Sequence, residues 1–149
     1  MSADTIGPGA SPGFLLWRTT LNWQRAMATT LKPLDLTHVQ FVLLASVWWL
    51  AGQAKLGAGL PSQREVADHA GTDVMMTSQV LRTLERQRLV PRTPDASDAR
   101  IKRLDVTKQG AVLARRAVAK VEAADAEFFT AANSKPLLAA LRKLAGWSW

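Results

Sequence analysis

The sequence contains no cysteine and no tyrosine, and it has only two histidines. Without cysteine the chain cannot form a disulfide, a thiolate zinc site or an iron–sulfur cluster, and it has no thiol redox sensor. His38 and His69 have only scattered acidic residues around them, which is too few ligands for a zinc-dependent sensor. We therefore predict no metal site and no cofactor.

Long apolar runs are also absent. The longest, Phe41 to Gly52, is interrupted by Ser46 and is far shorter than the roughly 20 residues that a membrane span needs. Residues 1–11 show no basic segment followed by an apolar one, as a signal peptide would. We therefore expect a cytoplasmic protein with no membrane partner.

The sequence lacks the common catalytic motifs. It has no G-x-S-x-G, no P-loop, no dinucleotide-binding glycine pattern and no cysteine nucleophile. Glu122, Asp125 and Glu127 lie on one late helix and are interpreted as its solvated face. We predict that the protein is not an enzyme.

Positive charge is in excess. The chain has 149 residues, enough for one domain, and carries 19 Lys and Arg against 12 Asp and Glu. More than half of the net charge of +7 falls in residues 79–103, which hold seven basic and three acidic side chains. A compact basic chain favours a polyanionic partner, and nucleic acid before a membrane surface.

The first part of the chain is predicted to be a disordered tail over residues 1–12, rich in Gly, Pro, Ser and Ala, and then a helix that Pro33 ends. That helix is apolar on two faces, which indicates two partners, one being the rest of the chain and the other a second copy. A second helix is predicted from Thr37, where Gln40 completes a capping box. Residues 52–59, with three glycines, are predicted to be a linker.

Two short helices follow. Ser62 and Glu65 form a second capping box, and Gly71 suits a left-handed position at the end of that helix. Asp73 is placed to cap the next helix, roughly 74–87. Its inward face is predicted to comprise Met76, Val80, Leu81 and Leu84. Two short helices joined by a tight turn are typical of a helix-turn-helix.

After these helices the apolar residues alternate as they do in β-strands, which predicts a β-hairpin. Leu89 and Val90 are predicted to begin a strand, residues 94–98 have turn chemistry, and Leu104 and Val106 alternate in a returning strand. Thr107 can cap a long helix over about 108–131, and a last helix is predicted over about 135–145. The predicted fold class is mainly α with a small β-hairpin, an α+β arrangement.

Several of these segments carry motifs of a known family. Asp98-Ala99-Arg100 followed by the run from Leu104 to Gly110 matches the pattern D-x-R-x-x-x-L-x-L-T-x-x-G, with Val106 replacing the second leucine. The stretch from Leu84 to Arg92 is similar to L-E-x-x-G-L-V-x-R, and Leu36-Thr37 with Gln40 suits the second helix. Residues 14–145 thus resemble the winged helix-turn-helix regulators of the MarR (multiple antibiotic resistance regulator) family.

The resemblance contains one departure. The family usually has glycine at the position of Arg88, where the recognition helix turns into the strand. Arg88 must either adopt a left-handed conformation, at about 1 kcal/mol or more, or end the helix differently. Its extra positive charge could instead touch phosphate.

The resemblance implies an architecture and a function. Residues 13–149 would form a single domain, with 13–35 and 108–149 as dimerisation helices and 37–106 as a winged helix-turn-helix lobe. The protein would be a homodimeric transcription regulator, usually a repressor, that binds double-stranded DNA at a pseudo-palindromic operator. Such regulators are often released by a small aromatic or phenolic effector. The alternative is a winged-helix module that binds protein without specific DNA binding.

DNA-contacting candidates come from the recognition helix, the start of the helix before it and the hairpin. Arg100 is expected to enter the minor groove from the wing, while Asp98 would pair with an arginine and orient the wing. The alternative is an ion pair that only holds the hairpin. The full set of candidates is Ser62, Gln63, Met75, Thr77, Ser78, Gln79, Arg82, Arg86, Arg100 and Lys102.

Tryptophans are concentrated in the first two helices, which hold four of the six. The resemblance puts these residues near an effector pocket, where indoles could stack on an aromatic ligand and a basic side chain could meet its carboxylate or hydroxyl. The alternative is that they pack in the core and the dimer interface. The effector-binding candidates are Trp17, Arg18, Leu21, His38 and Trp48.

Overall fold

A computed structural model of the chain describes residues 7–54, 57 and 59–148. Within these residues the chain forms α-helices and one small hairpin, which confirms the predicted fold class. The elements are α1 (Pro12–Leu31), α2 (His38–Gln53), α3 (Gln63–Ala70), α4 (Val74–Arg86), β1 (Arg92–Pro94), β2 (Lys102–Leu104), α5 (Lys108–Phe128) and α6 (Ser134–Leu144). In this part of the chain no single helix is long and apolar enough to cross a membrane; one bent pair, Pro12–Leu34 with His38–Gln53, meets the criterion only together.

The chain divides into two compact units. One is continuous and extends from Leu31 to Lys120; the other combines the chain up to Thr30 with the chain from Val121. The lobe predicted over residues 37–106 lies inside the continuous unit. The division falls at the end of α1 and within α5, so the first half of α5 belongs with the helix-turn-helix.

The core of the continuous unit lies among α2, α3, α4 and β2. Its fully buried side chains include Leu43, Leu44, Val47, Val66, Leu81, Leu84, Val90 and Leu104. Both predicted capping boxes are present: the side chain of Thr37 accepts from the Gln40 amide, and that of Ser62 accepts from the Glu65 amide. In the reverse direction, the Thr37 amide donates to the side chain of Gln40, and the Ser62 amide donates to that of Glu65. The starts of α2 and α3 are therefore fixed by local hydrogen bonds.

The turn between α3 and α4 also follows the prediction. Gly71 has φ of 70° at the end of α3, a left-handed conformation that glycine adopts without steric cost. Asp73 then caps α4, its Oδ1 accepting from the Met76 amide at 2.8 Å. The predicted inward face of α4 is wrong at Met76, which is partly exposed while Thr77 is fully buried.

Arg88 ends α4 in the left-handed conformation, with φ of 60°. The amide of Leu89 donates to the carbonyl of Leu84 at 3.0 Å, which closes the turn. A non-glycine residue in this region costs roughly 1–2 kcal/mol. Of the two outcomes expected for Arg88, the structure shows the left-handed conformation and not a different helix end.

The hairpin is shorter than predicted. Leu89 and Val90 are buried in the turn after α4 and do not begin a strand, because the left-handed residue before them redirects the chain. The paired residues are Arg92 with Leu104, Thr93 with Arg103 and Pro94 with Lys102. Val106 lies beyond β2, so its predicted place in the strand is also wrong.

The start of α5 is packed against the turn that follows α4. Thr107 caps the helix as predicted, its Oγ1 accepting from the Gly110 amide at 2.9 Å, while its own amide donates to the carbonyl of Leu89 at 3.0 Å. A Cβ added at Gly110 would overlap the Leu89 carbonyl oxygen and lie 3.0 Å from the carbonyl carbon. Only glycine allows these two backbone segments to approach so closely.

The second unit contains most of α1, the end of α5, and α6. The indole N–H of Trp23 donates to Oδ1 of Asp125 at 2.7 Å, which ties α1 to α5. Part of the predicted disordered tail, residues 1–6, lies outside the described residues. Of the remaining residues, Pro8–Ala10 form an exposed 3₁₀ turn and α1 begins at Pro12, one residue before the predicted boundary. The predicted linker is likewise described only in part, at residues 52–54, 57 and 59, and Gly52 belongs to α2.

Candidate nucleic-acid interface

One face of α4 presents polar and basic side chains to solvent. Met75, Gln79, Arg82 and Arg86 lie on successive turns of this face and are all exposed, while Ser78 beside them is half-buried. The opposite face buries Leu81 and Leu84 in the core. The structure therefore brings five of the candidate DNA-contacting residues together on one helix surface.

Thr77 does not belong to this surface. Its side chain is completely buried, and its hydroxyl donates to the carbonyl of Asp73 at 2.7 Å and lies 2.6 Å from the hydroxyl of Thr72. A threonine whose hydroxyl is satisfied by its own helix can face the core. The prediction that Thr77 contacts DNA is wrong for this reason.

Replacing Thr77 with valine should therefore destabilise the fold without weakening DNA binding. Valine keeps the shape of threonine but removes the hydroxyl, so the Thr72 hydroxyl loses its partner. We expect the free energy of unfolding to fall by about 1 kcal/mol, measured by urea denaturation. Ser78→Ala is the control and should change stability less. A valine variant of normal stability with reduced DNA affinity would contradict this role.

The tip of the hairpin contains the expected ion pair between Asp98 and an arginine. The guanidinium of Arg100 donates through Nε to Oδ1 and through Nη2 to Oδ2 of Asp98, both at 3.1 Å, and the Arg100 amide also donates to Oδ1. The Arg100 side chain is nevertheless 91% exposed. These hydrogen bonds hold the pKa of Asp98 below its usual value. The carboxylate therefore orients a guanidinium that faces solvent.

A second carboxylate, that of Asp95, organises the loop of the hairpin; the sequence predicts a turn at this residue but not its pairing with Arg103. Oδ2 of Asp95 accepts from the amide and hydroxyl of Ser97 and from the amide of Asp98. Its Oδ1 accepts from Nε of Arg103 at 2.8 Å. Residues 95–98 lie within one turn, and an Asp-x-Ser sequence is a signal that could have indicated this arrangement.

Arg103 links the hairpin to α3. Its Nη1 donates to the carbonyl of Leu60 at 3.2 Å and lies 3.6 Å from Oε2 of Glu65. The next amide, that of Leu104, donates to the carbonyl of Pro61 at 2.9 Å. The position of the wing is therefore fixed against the start of the helix-turn-helix.

The carboxyl group of Asp95 should stay ionised in unusually acidic solution. Hydrogen bonds from the Ser97 hydroxyl and the Arg103 guanidinium hold its pKa far below the ordinary 3.8. Because the folded-state pKa is lowered, the stabilisation is complete above the unfolded value and is lost as pH falls towards the folded value. We expect ¹³C NMR of the carboxyl carbon to show no midpoint near pH 3.8. The same protein unfolded in urea is the control, and equal midpoints in both samples would contradict the network.

A cleft of about 770 Å³ is lined by residues of α3, the start of α4 and the hairpin. Around it the structure brings together four of the predicted candidates, Ser62, Gln63, Arg100 and Lys102. The Ser62 hydroxyl is engaged as the α3 cap, and Oε1 of Gln63 accepts from Arg92. Arg64 is exposed and also lines the cleft, although sequence reasoning missed it because no motif marks it.

The effector-binding candidates fall in both units. Trp17, Arg18 and Leu21 lie along a shallow cavity of about 230 Å³ on α1, where Trp17 is 63% exposed. His38 and Trp48 lie on α2 of the continuous unit. That unit also has an unanticipated cavity of about 630 Å³, lined by Leu34, Lys108, Gln109, Val112, Leu113 and Arg116.

Comparison with known proteins finds similar sequences and similar structures. No family model matches the chain. CouR from Rhodococcus jostii RHA1, solved with p-coumaroyl-CoA, superposes with a TM-score of 0.78 at 28% identity, covering 97% of this chain and 99% of that one. MepR of Staphylococcus aureus, solved with DNA, gives 0.77 at 21% identity, covering 91% and 97%. The HTH-type transcriptional regulator YdcH of Bacillus subtilis is 40% identical over 129 residues, which are 87% of this chain and 85% of YdcH.

A MarR-family transcriptional regulator from Rhodococcus sp. RHA1 superposes with a TM-score of 0.71 at 28% identity, covering 89% of this chain and 88% of that one. The chain belongs to the MarR family. A further relative, the HTH-type transcriptional repressor Rv2887 of Mycobacterium tuberculosis, is 34% identical over 121 residues, 81% of each protein. The MarR-family membership and winged-helix fold that the wing motif indicated are therefore confirmed. The hairpin of this MarR-family chain is the wing, and α4 occupies the place of the recognition helix.

Proposed function

We propose that the protein is a transcription regulator that binds double-stranded DNA as a homodimer at a pseudo-palindromic operator and acts as a repressor. The exposed face of α4, with Gln79, Arg82 and Arg86, is the observation that carries this proposal. An excess of positive charge on a helix and the adjoining wing is what a duplex-binding surface requires. The relative Rv2887 is named a repressor, which supports that direction of control. Such a regulator acts on the chromosome in the cytoplasm.

The surface suggests a division of contacts. With α4 in the major groove, Gln79 can pair with adenine and Arg82 with guanine, while Arg86 reaches a phosphate. Arg100 enters the flanking minor groove, where a narrow groove concentrates negative potential. Ser62, Gln63, Ser78 and Lys102 are proposed phosphate contacts, and the cleft beside the wing leaves room for the backbone.

Exposed apolar side chains support the homodimer. They occur in the unit built from the chain ends and comprise Phe14, Leu15, Leu16, Trp17, Leu138, Leu141, Leu144 and Trp147. So many exposed apolar groups are unusual for a monomer, and a second copy would remove them from water. Two copies would also supply two recognition helices for the two half-sites.

An aromatic effector is the finer part of the proposal. CouR was solved with p-coumaroyl-CoA, and BpsR of Bordetella bronchiseptica is regulated by 6-hydroxynicotinic acid. The candidate contacts in this chain are Trp17, Arg18 and Leu21 along the cavity on α1 and, in the continuous unit, His38 and Trp48 on α2. The effector would act by favouring a dimer whose helix spacing no longer matches the half-sites, which requires differential affinity for the two states.

Binding to duplex DNA tests the function. The protein would be titrated against its own upstream intergenic region and a random duplex of equal length at several salt concentrations. We expect tight, selective binding that weakens steeply with salt. If both duplexes bind equally, selection from a random-sequence pool decides whether any operator exists. Salt-insensitive binding without an enriched sequence would contradict the proposal and favour the protein-interaction module.

A further inference from the structure

The first turn of α4 exposes three consecutive apolar side chains. Val74 is 61% exposed, Met75 is 75% exposed and Met76 is 37% exposed. The core-facing side chains of this helix begin only at Thr77. Removing an apolar side chain from water is favourable, so this turn offers apolar surface that a partner can bury.

The surroundings of this turn identify the partner. Val74 lines the wing cleft together with Arg64, Arg100 and Lys102. On the same helix face Met75 is followed one turn later by exposed Gln79, and then by Arg82. Glu65 and Asp68 also line the cleft, but basic side chains outnumber acidic ones there by four to two. An apolar patch with such a basic border is complementary to a polyanion that also presents an apolar group.

The major groove of DNA has one such group. Adenine, guanine and cytosine present hydrogen-bond donors and acceptors there, whereas thymine also presents its 5-methyl group. We propose that Met75, assisted by Val74, recognises thymine 5-methyl groups, so that each half-site carries thymine where the start of α4 enters the groove. This inference rests on the proposed DNA binding. The unbranched thioether of methionine can follow the methyl surface closely.

Deoxyuridine provides a direct test, because it keeps every hydrogen-bonding group of thymine and lacks only the methyl. Each thymine of a selected operator half-site would be replaced singly by deoxyuridine, and affinity measured by fluorescence anisotropy. At one or two positions we expect the wild-type protein to lose about fourfold in affinity per methyl group. Met75→Ala should bind the thymine operator several-fold more weakly and show no further loss with deoxyuridine.

Two further variants make the test specific. Arg86→Ala should weaken binding to the thymine and deoxyuridine duplexes by the same factor. Met75→Leu keeps an apolar side chain and should retain the sensitivity to deoxyuridine. The inference is overturned if wild-type protein binds all deoxyuridine duplexes as tightly as the operator, or if Met75→Ala keeps the full loss. Selective binding without a methyl effect would contradict only the role of Met75. Absence of selective binding would contradict both that role and the proposed function.

Discussion

Replacing Gly110 with alanine is expected to lower the free energy of unfolding by about 3 kcal/mol, since overpacking a tight contact costs roughly this much. The added Cβ would overlap the carbonyl oxygen of Leu89, and both atoms belong to backbone. Relief therefore requires the start of α5 to move away from the turn after α4. That movement would strain the bond between the Thr107 amide and the same carbonyl. For a chain of this size we expect the melting temperature to fall by roughly 6–12 °C.

Gly52→Ala is the matched control for this variant. Gly52 lies in α2, and a Cβ there would meet nothing within 4 Å. Alanine should stabilise this helix position by up to about 1 kcal/mol, because it loses less backbone entropy than glycine. Calorimetry of the two variants should give shifts of opposite sign. A Gly110→Ala protein that melts like the wild type would show that the backbone contact is looser than described.

Arg100→Ala should weaken operator binding by roughly 100-fold at low salt, because a dimer loses one guanidinium from each of two wings. The Arg100 side chain is almost fully exposed and makes its ion pair only with Asp98 among the described contacts. Since this pairing is confined to the wing tip, the fold should be unaffected. Loss of two phosphate-neutralising charges should also reduce the slope of log affinity against log salt by about 2.

The loss should be similar on many DNA sequences, because a minor-groove arginine reads groove width and potential more than base identity. Arg142→Ala, at the end of α6, removes an equal charge outside the proposed surface and should leave both affinity and salt slope nearly unchanged. Equal effects of the two variants would show that only overall charge matters. An Arg100→Ala protein with wild-type affinity at every salt concentration would rule out the wing contact.

Features set by neighbouring residues were predictable. Helix starts at Thr37 and Ser62 depend on side chains three residues away, and the caps at Asp73 and Thr107 depend on an oxygen at the right position. Pattern and motif together therefore gave the order of helices and the wing. The sequence alone allows two ways for α4 to end, because the conformation of Arg88 depends on how the residues after it pack.

The candidate site was predicted less completely, for two physical reasons. Polarity alone predicts that Thr77 is exposed, whereas its hydroxyl is satisfied within the helix and its side chain faces the core. Arg103 was counted only as surface charge, because its carbonyl partner at Leu60 lies 43 positions earlier and no local pattern joins them. The methionine at the start of α4 was identified by position, but its exposure became visible only in the structure.

The two compact units differ in the order in which a ribosome can complete them. The helix-turn-helix unit is continuous, so it can fold once Lys120 has left the exit tunnel. The other unit needs both chain ends, and its hydrogen bond from Trp23 to Asp125 joins residues 102 positions apart. Closing so long a loop is slow while the intervening chain is unfolded and easier once it is compact. The apolar start of α1 is therefore without its partners from the end of the chain through most of translation.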